Sequence, residues 1–556
     1  MKHLLVAAAL AALLPLAAQA QTAQELAKGA GDTKSVLNYG MGYNLQRFSP
    51  LTQINKETAK KLVPVWNYSY DDSRSEESQP LVYKGVLYVT TNSATMAVDA
   101  KTGKQIWKTK VEYPPETPRI VCCGIINRGA ALYDGKVFRT TLDANVIALD
   151  AKTGKELWRQ NAINFKDGYS MTVAPLVADG VVITGISGAE FGTRLFIDGW
   201  EPQTGKHLWR TYTVPSEGEP GVDTWAGDTW QHGGGSTWIT GSFDPELHTV
   251  YWGIGNPGPF NAALRKGDNL YTDSVLALDP QTGKVKWHFQ FSPNDPFDYD
   301  SVAEMILADI KVKGKPTKVL MDANRNGFFY VLDRTNGKLL AANAYVKVTW
   351  AKGIDMETGR PVETDVAAKA RAGEKVVVWP SILGGKNWEP MSFNPNTGLA
   401  YANTLNFGGH YKAIPAEYKA GDWYLGMDLS DLWEWPAGNE PRGYLKAIDP
   451  LTGKAKWQTP STLPRFSGVL STAGGVVFSG QLTGEFEAFD ADTGKKLWQF
   501  KTGSGIEGQP VTWEQDGRQY VAVSSGIGGV YSLFSGDERL KDVPAGGSLW
   551  VFAVPK

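Results

Sequence analysis

Residues 148–158 read ALDAKTGKELW: the end of an apolar strand, an Asp-x-x-Thr-Gly-Lys turn, and a second strand carrying Trp158. Gly154 supplies the positive φ that a tight hairpin between two strands requires. The phrase returns as AVDAKTGKQIW (97–107), ALDPQTGKVKW (277–287), AIDPLTGKAKW (447–457) and AFDADTGKKLW (488–498), with GWEPQTGKHLW (199–209) and VLDRTNGKLL (331–340) as worn copies. Trp107, Trp158 and Trp209 follow at 51-residue intervals, and Trp457 and Trp498 at 41. Strand-and-turn units on such periods predict radial β-sheets that dock through a large flat side chain. Seven phrases predict seven or eight blades, and eight is favoured. LVPVWNYSY (62–70) and GSLWVFAVPK (547–556) both read as strands that can pair and close the ring, removing exposed sheet edges. The expected fold is all-β: an eight-bladed β-propeller with Trp-docking repeats, one domain over 21–556.

The rest of the composition agrees. Gly (61), Trp (20) and Tyr (22) are abundant in the 556 residues, which favours a turn-rich β fold, and no long helical apolar period survives the glycines. A formal net charge of −2 gives no reason to expect nucleic acid or an anionic membrane as partner. The opening MKHLLVAAALAALLPLAAQA has a short basic start, an apolar run and the small-x-small end Ala18-Gln19-Ala20, so 1–20 reads as a secretory signal peptide. No other segment carries the ~18 unbroken apolar residues of a membrane span. The mature protein is expected to be soluble and exported.

Both cysteines of the chain, Cys122 and Cys123, are neighbours in PRIVCCGIINRG (118–129). A disulfide stabilises mainly by closing a loop, and neighbours close almost none; their Cα atoms lie only ~3.8 Å apart across a trans peptide. Export makes such a bond available without explaining it, and two reduced buried thiols remain the alternative.

The larger gaps between phrases, 209–287 and 340–447, hold insertions, where a rigid scaffold commonly carries its function. There and nearby, MTVAPLVADGVVITGISGAEFGTR places Glu190 after a strand, YWGIGNPGPFN ends a strand at Asn256, and NDPFDYDSV sets Asp298 and Asp300 two apart on one side of an extended segment. Each alone has an ordinary turn or solvent-facing reading. Together they are hard oxygen donors at strand ends of a fold whose strands converge on an axis, a set that suits a calcium-like cation. Six scattered histidines without His-Glu-x-x-His argue against zinc, and Cys-x-x-Cys-His, the covalent haem motif, is absent.

CCGIINRG, GGGSTW with GNPGPFN, FDYD and NRNGFFYVLDR together resemble the pyrroloquinoline quinone (PQQ)-dependent alcohol dehydrogenases, in particular the lanthanide-type branch, over nearly the whole mature chain. The resemblance implies that Cys122 and Cys123 form a ring-like disulfide against one face of PQQ, with Trp238 on the other. It implies further cofactor contacts from Glu77, Arg128, Thr172, Ser187, Gly188, Ala189, Ser236, Asn387 and Trp388. Ser236 stands where methanol-oxidising relatives usually carry Thr. Arg128 also makes independent sense, since a guanidinium pairs carboxylates bidentately. Carried over, the metal ligands are Glu190, Asn256 and Asp298. Asp298 is also the catalytic base and Arg325 the cation beside the quinone oxygens, for hydride transfer from a primary alcohol to the C5 carbonyl carbon of PQQ. Asp300 is the extra carboxylate that marks lanthanide-using members; calcium is the alternative metal. A separate soluble cytochrome c is the implied electron acceptor. The rival readings are a non-enzymatic periplasmic scaffold and a calcium-dependent alcohol or polyol dehydrogenase. Oligomeric state stays open, a homodimer among the options.

Overall fold

The computed structural model describes residues 21–556; the expected signal peptide, 1–20, lies outside the described residues. Eight antiparallel sheets of four strands form the eight blades. Each of the seven Thr-Gly-Lys-type turns joins the third and fourth strands of its blade, as Asn145–Asp150 is joined to Glu156–Asn161. In the eighth blade the strand Val63–Ser69, from the start of the chain, pairs antiparallel with Ser548–Ala553 at its end, with Val63 opposite Ala553. That blade therefore needs no such turn, which explains why seven phrases encode eight blades. A short strand, Phe48–Ser49, adds a parallel fifth member to the seventh blade.

The repeated tryptophans work between blades. Trp107 Nε1 donates to Ala151 O at 3.1 Å, Trp158 to Pro202 O at 3.0 Å, Trp209 to Pro280 O at 3.1 Å and Trp457 to Ala491 O at 2.9 Å. Each ring lies on the turn glycine of the next blade. A Cβ at Gly154 would come within 2.5 Å of the Trp107 ring, so glycine serves both the left-handed turn and the close approach. One interface has no tryptophan. Ala341 stands at the tryptophan position of VLDRTNGKLLA, and Asn343 Nδ2 donates to Leu451 O at 3.0 Å instead.

The insertions build smaller structures outside the blades. A hairpin pairs Ala351–Ile354 with Pro361–Glu363 through Asp355-Met-Glu-Thr-Gly, a copy of the blade turn that makes no blade. A three-stranded sheet combines Val376–Val378, Gly408–Tyr411 and Trp433–Glu434. Among the described residues no helix is long and apolar enough to cross a membrane.

Candidate active site

A cavity opens between blades and insertions. Its wall brings together Glu77, Cys122, Cys123, Arg128, Thr172, Ser187, Glu190, Ser236, Trp238, Asp298, Asp300, Arg325, Asn387 and Trp388. Three further expected residues, Gly188, Ala189 and Asn256, are not on the wall itself. Gly188 and Ala189 form the turn that presents Glu190, in the one-turn helix Ala189–Phe191. Asn256 is buried behind Asp300, to whose Oδ1 its backbone N–H donates at 2.7 Å. No side chain fits at Gly255, where a Cβ would overlap Asp300 Oδ1.

Cys122 and Cys123 are disulfide-bonded. Both sulfurs lie within 4.8 Å of a Glu190 carboxylate oxygen. Disulfide sulfurs carry no thiolate charge, so a hard cation here would go to oxygen donors rather than to this trio. Such donors are at hand. Asp298 Oδ1 and Asn256 Oδ1 are both buried without a hydrogen-bond partner. Burial pushes the Glu190 carboxyl up to about 7, with the charge of Asp300 acting in the same direction. Asp298 is raised well above the usual carboxylate range, first by burial and then by Asp300, Glu190 and Asp295, against the opposing charge of Arg325. Clustered acids with orphaned oxygens make a donor set that a hard cation would satisfy. Asp300 differs: its Oδ2 accepts from Trp238 Nε1 at 3.1 Å and lies 3.4 Å from Arg325 Nη2, while Oδ1 holds the Asn256 amide.

Arg325 follows the strand Lys315–Ala323, and its Nη1 donates to Asp298 O at 2.8 Å and Asp298 Oδ2 at 3.3 Å. It thereby fixes both the backbone and the carboxylate of Asp298, whose φ of 61° is left-handed. At the opposite side Arg128 Nη1 donates to Thr172 Oγ1 at 2.6 Å, and Nη2 lies 2.8 Å from Glu77 Oε2 without an aligned hydrogen bond. The Arg128 guanidinium lies 4.7 Å from the Trp238 ring centroid and 5.4 Å from that of Trp388. Its Nε has no partner. Two flat indoles, a flat disulfide and a guanidinium with unspent donors fit a planar polycarboxylate such as PQQ.

Several wall residues lay outside the sequence reading. Val121, Ile126, Phe260, Ile382 and Leu383 line the interior, and Trp423, Leu425, Leu429, Leu432, Trp433, Val530 and Phe534 form an apolar mouth. The mouth residues come from 412–435 and from the helix Gly529–Phe534, segments with no repeat to flag them. Ser75 and Glu507 also escaped notice: Ser75 Oγ donates to Glu507 Oε2 at 2.5 Å behind Glu77.

Residues 37–358 and 355–521 match the family model described as PQQ: Glucose/ethanol/alcohol dehydrogenase, beta-propeller domain. The chain is 42% identical to quinoprotein alcohol dehydrogenase PedH of Pseudomonas putida, over 96% of this chain and 93% of that protein. It is 38% identical to 1-butanol dehydrogenase (quinone) of Thauera butanivorans, over 100% and 98% of the two chains. Among solved structures it matches a europium-containing methanol dehydrogenase with a TM-score of 0.90 and 36% identity, covering 95% of this chain and 100% of that one.

Proposed function

This chain belongs to the family of PQQ-dependent quinoprotein alcohol dehydrogenases, and from that premise we propose that it oxidises primary alcohols to aldehydes with a lanthanide ion beside PQQ. The observation that carries the reading is the third carboxylate: Arg325 lies within 3.4 Å of both Asp298 and Asp300, so Asp300 belongs to the same cluster as Asp298 and Glu190.

Glu190, Asn256, Asp298 and Asp300 are the residues that would hold the cation. Cys122, Cys123, Trp238 and Trp388 would bound the planes of PQQ, with Glu77, Arg128, Thr172, Ser187, Ser236 and Asn387 at its rim and Gly188 and Ala189 shaping the turn beneath. When bound, PQQ supplies a two-electron acceptor, and the cation supplies a Lewis acid that keeps a nearby carboxylate ionised. The Asp298 carboxylate takes the hydroxyl proton of the alcohol. Arg325 holds Asp298 in its left-handed conformation and places a fixed positive charge where oxygen charge grows. The apolar mouth sheds water from an entering alcohol and takes its carbon chain. Glu190, Asp298 and Asp300 bring three negative charges to the cation, which a trivalent ion neutralises and a divalent one leaves at −1, before the Arg325 guanidinium beside them and the carboxylates of PQQ are counted. Unit charges 4 Å apart interact by ~4 kcal/mol at an effective dielectric of 20, so each added or removed charge matters here.

Residues 1–556 hold no Cys-x-x-Cys-His, and our assignment for the electron acceptor is a separate soluble cytochrome c in the periplasm. One observation favours a calcium-using enzyme instead: both Asp300 oxygens already accept hydrogen bonds from Trp238 and Asn256. Metal-free, PQQ-free protein rebuilt with PQQ plus lanthanum or calcium and assayed on a primary-alcohol series separates the two. We expect strong activity with lanthanum, weak activity with calcium, and loss of the lanthanum-dependent activity in Asp300→Ala. Full lanthanum activity in Asp300→Ala would place the enzyme in the calcium class.

A further inference from the structure

Below the cavity wall a lysine and two glutamates share one buried pocket. Lys386 is 0% exposed, and its Nζ lies 3.0 Å from Glu304 Oε2, itself on a side chain 1% exposed. The same Nζ donates to Asn387 O at 3.1 Å. Glu304 Oε1 accepts from Met391 N at 2.6 Å, and Glu389 Oε1 accepts from Asn387 N at 2.9 Å. Five residues of backbone are thus gripped at three points by ionisable side chains. Buried ion pairs are poor stabilisers compared with apolar packing, so stability alone does not account for one at this place.

What the grip holds is the strip that carries Asn387 and Trp388 to the wall. Asn387 spends its own side chain inside the loop, Nδ2 donating to Leu383 O at 3.0 Å and Oδ1 accepting from Trp388 N at 2.9 Å. Neither Asn387 nor Trp388 has another polar anchor of its backbone N–H. Trp388 is 2% exposed and carries the Arg128 guanidinium on its face. A shift of this strip moves an indole and, through it, a cationic side chain at the cavity.

We propose that Glu304, Lys386 and Glu389 are positioning residues that set Asn387 and Trp388 at the cofactor plane. The inference rests on the assignment of this cavity to PQQ. In support, a carboxylate acceptor for the Asn387 amide and an ammonium donor for its carbonyl fix the two peptide groups that flank its Cα, which an apolar filler of the same volume does not do. Burial pushes the Glu389 carboxyl up to about 7, against Lys386 and the Asn387 amide and together with Glu304. Its Oε1 accepts the Asn387 amide in either protonation state, and Gln supplies the same acceptor.

The test titrates PQQ into full-length cofactor-free protein by tryptophan-fluorescence quenching, beside melting temperature and the kcat and KM of the rebuilt enzyme. Glu389→Leu is expected to weaken PQQ binding at least tenfold, and Glu389→Gln to stay within about twofold of wild type. Lys386→Met leaves Glu304 as an unpaired buried charge and lowers the melting temperature as well as PQQ affinity. Adding Glu304→Gln to Lys386→Met restores the melting temperature, because Gln still accepts the Met391 amide, but not the affinity, because the donor to Asn387 O is gone. Affinity that recovers together with stability in the double variant, or that is equal in Glu389→Leu and Glu389→Gln, overturns the inference. Wild-type protein that does not bind PQQ overturns the cavity assignment instead.

Discussion

Asp150 and Asp298 are the same residue type in the same fold, one at the rim and one at the axis. Asp150 Oδ1 accepts from Thr153 N at 2.8 Å, Thr153 Oγ1 at 2.8 Å and Lys152 N at 3.1 Å, all within its own turn. Its carboxyl is held below the usual range: partial burial opposes this, but the three hydrogen bonds and Lys152 outweigh it. Asp298 has one oxygen without a partner and is held far above that range. The rim carboxylate completes its bonding locally and so can be copied from blade to blade. The axial one is surrounded by groups from distant parts of the chain and is left incomplete, open to a ligand. Repetition makes the scaffold, and departures from it make the site.

The contrast breaks most visibly in activity. Asp298→Asn keeps the shape but removes the proton acceptor; dye-linked alcohol oxidation by the rebuilt enzyme should fall about 10³-fold, within the range for general-base removal. Asp150→Asn should leave that rate unchanged. Next in size is the docking of blades. Trp158→Ala removes a buried indole and its bond to Pro202 O, and a loss of about 3 kcal/mol is expected from denaturant unfolding, with kcat of the surviving folded protein unaltered. Cys122→Ser should weaken PQQ retention or electron transfer about tenfold and barely move the melting temperature, since neighbours close almost no loop. A large drop in melting temperature with normal turnover would make the disulfide structural.

The smallest effect concerns pH, and its sign differs between the two regions. A rim carboxyl with a lowered folded value stabilises the fold above its unfolded value near 3.8, and this is lost as acid titrates it in the folded state. Glu389 and Asp322, each pushed up to about 7 chiefly by burial, bind a proton in the fold that the unfolded chain has released. Their contribution is full below the unfolded values of 4.5 and 3.8 and falls as pH rises towards about 7. Unfolding midpoints measured from pH 5 to 7 should decline less steeply in Glu389→Gln than in wild type. An unchanged slope would mean that Glu389 is ionised throughout.

The fold was legible because Asp-x-x-Thr-Gly-Lys and its tryptophan obey local rules that survive without tertiary context. The eighth blade was harder to count because its outer strand, Val63–Ser69, sits at the far end of the sequence from its partner and carries no turn. Oxygen donors such as Glu190 and Asn256 could be noticed at strand ends, but their grouping rested on resemblance, since no spacing rule links 190 with 256 and 298. Leu429, Leu432 and Phe534 could not be found at all: apolar residues in insertions have no period, and only folding shows that they face a cavity. The Lys386–Glu304 pair was hidden for the same reason, being ionisable residues far apart in sequence that look solvent-facing until their burial is known.

The pairing of Val63–Ser69 with Ser548–Ala553 also orders events in time. A nascent propeller can form its inner hairpins as they emerge, because each relies on neighbours close in sequence. The last blade has no such option: its outer strand must wait for the final strand of the chain. Contacts of such long sequence range are slow to form. The axial cavity draws its walls from Glu77 near one end to Phe534 near the other, so it comes into being only when this clasp fastens. Loss of the strand at either end would leave the eighth blade without its closing pair, and retention of PQQ is expected to fall with it.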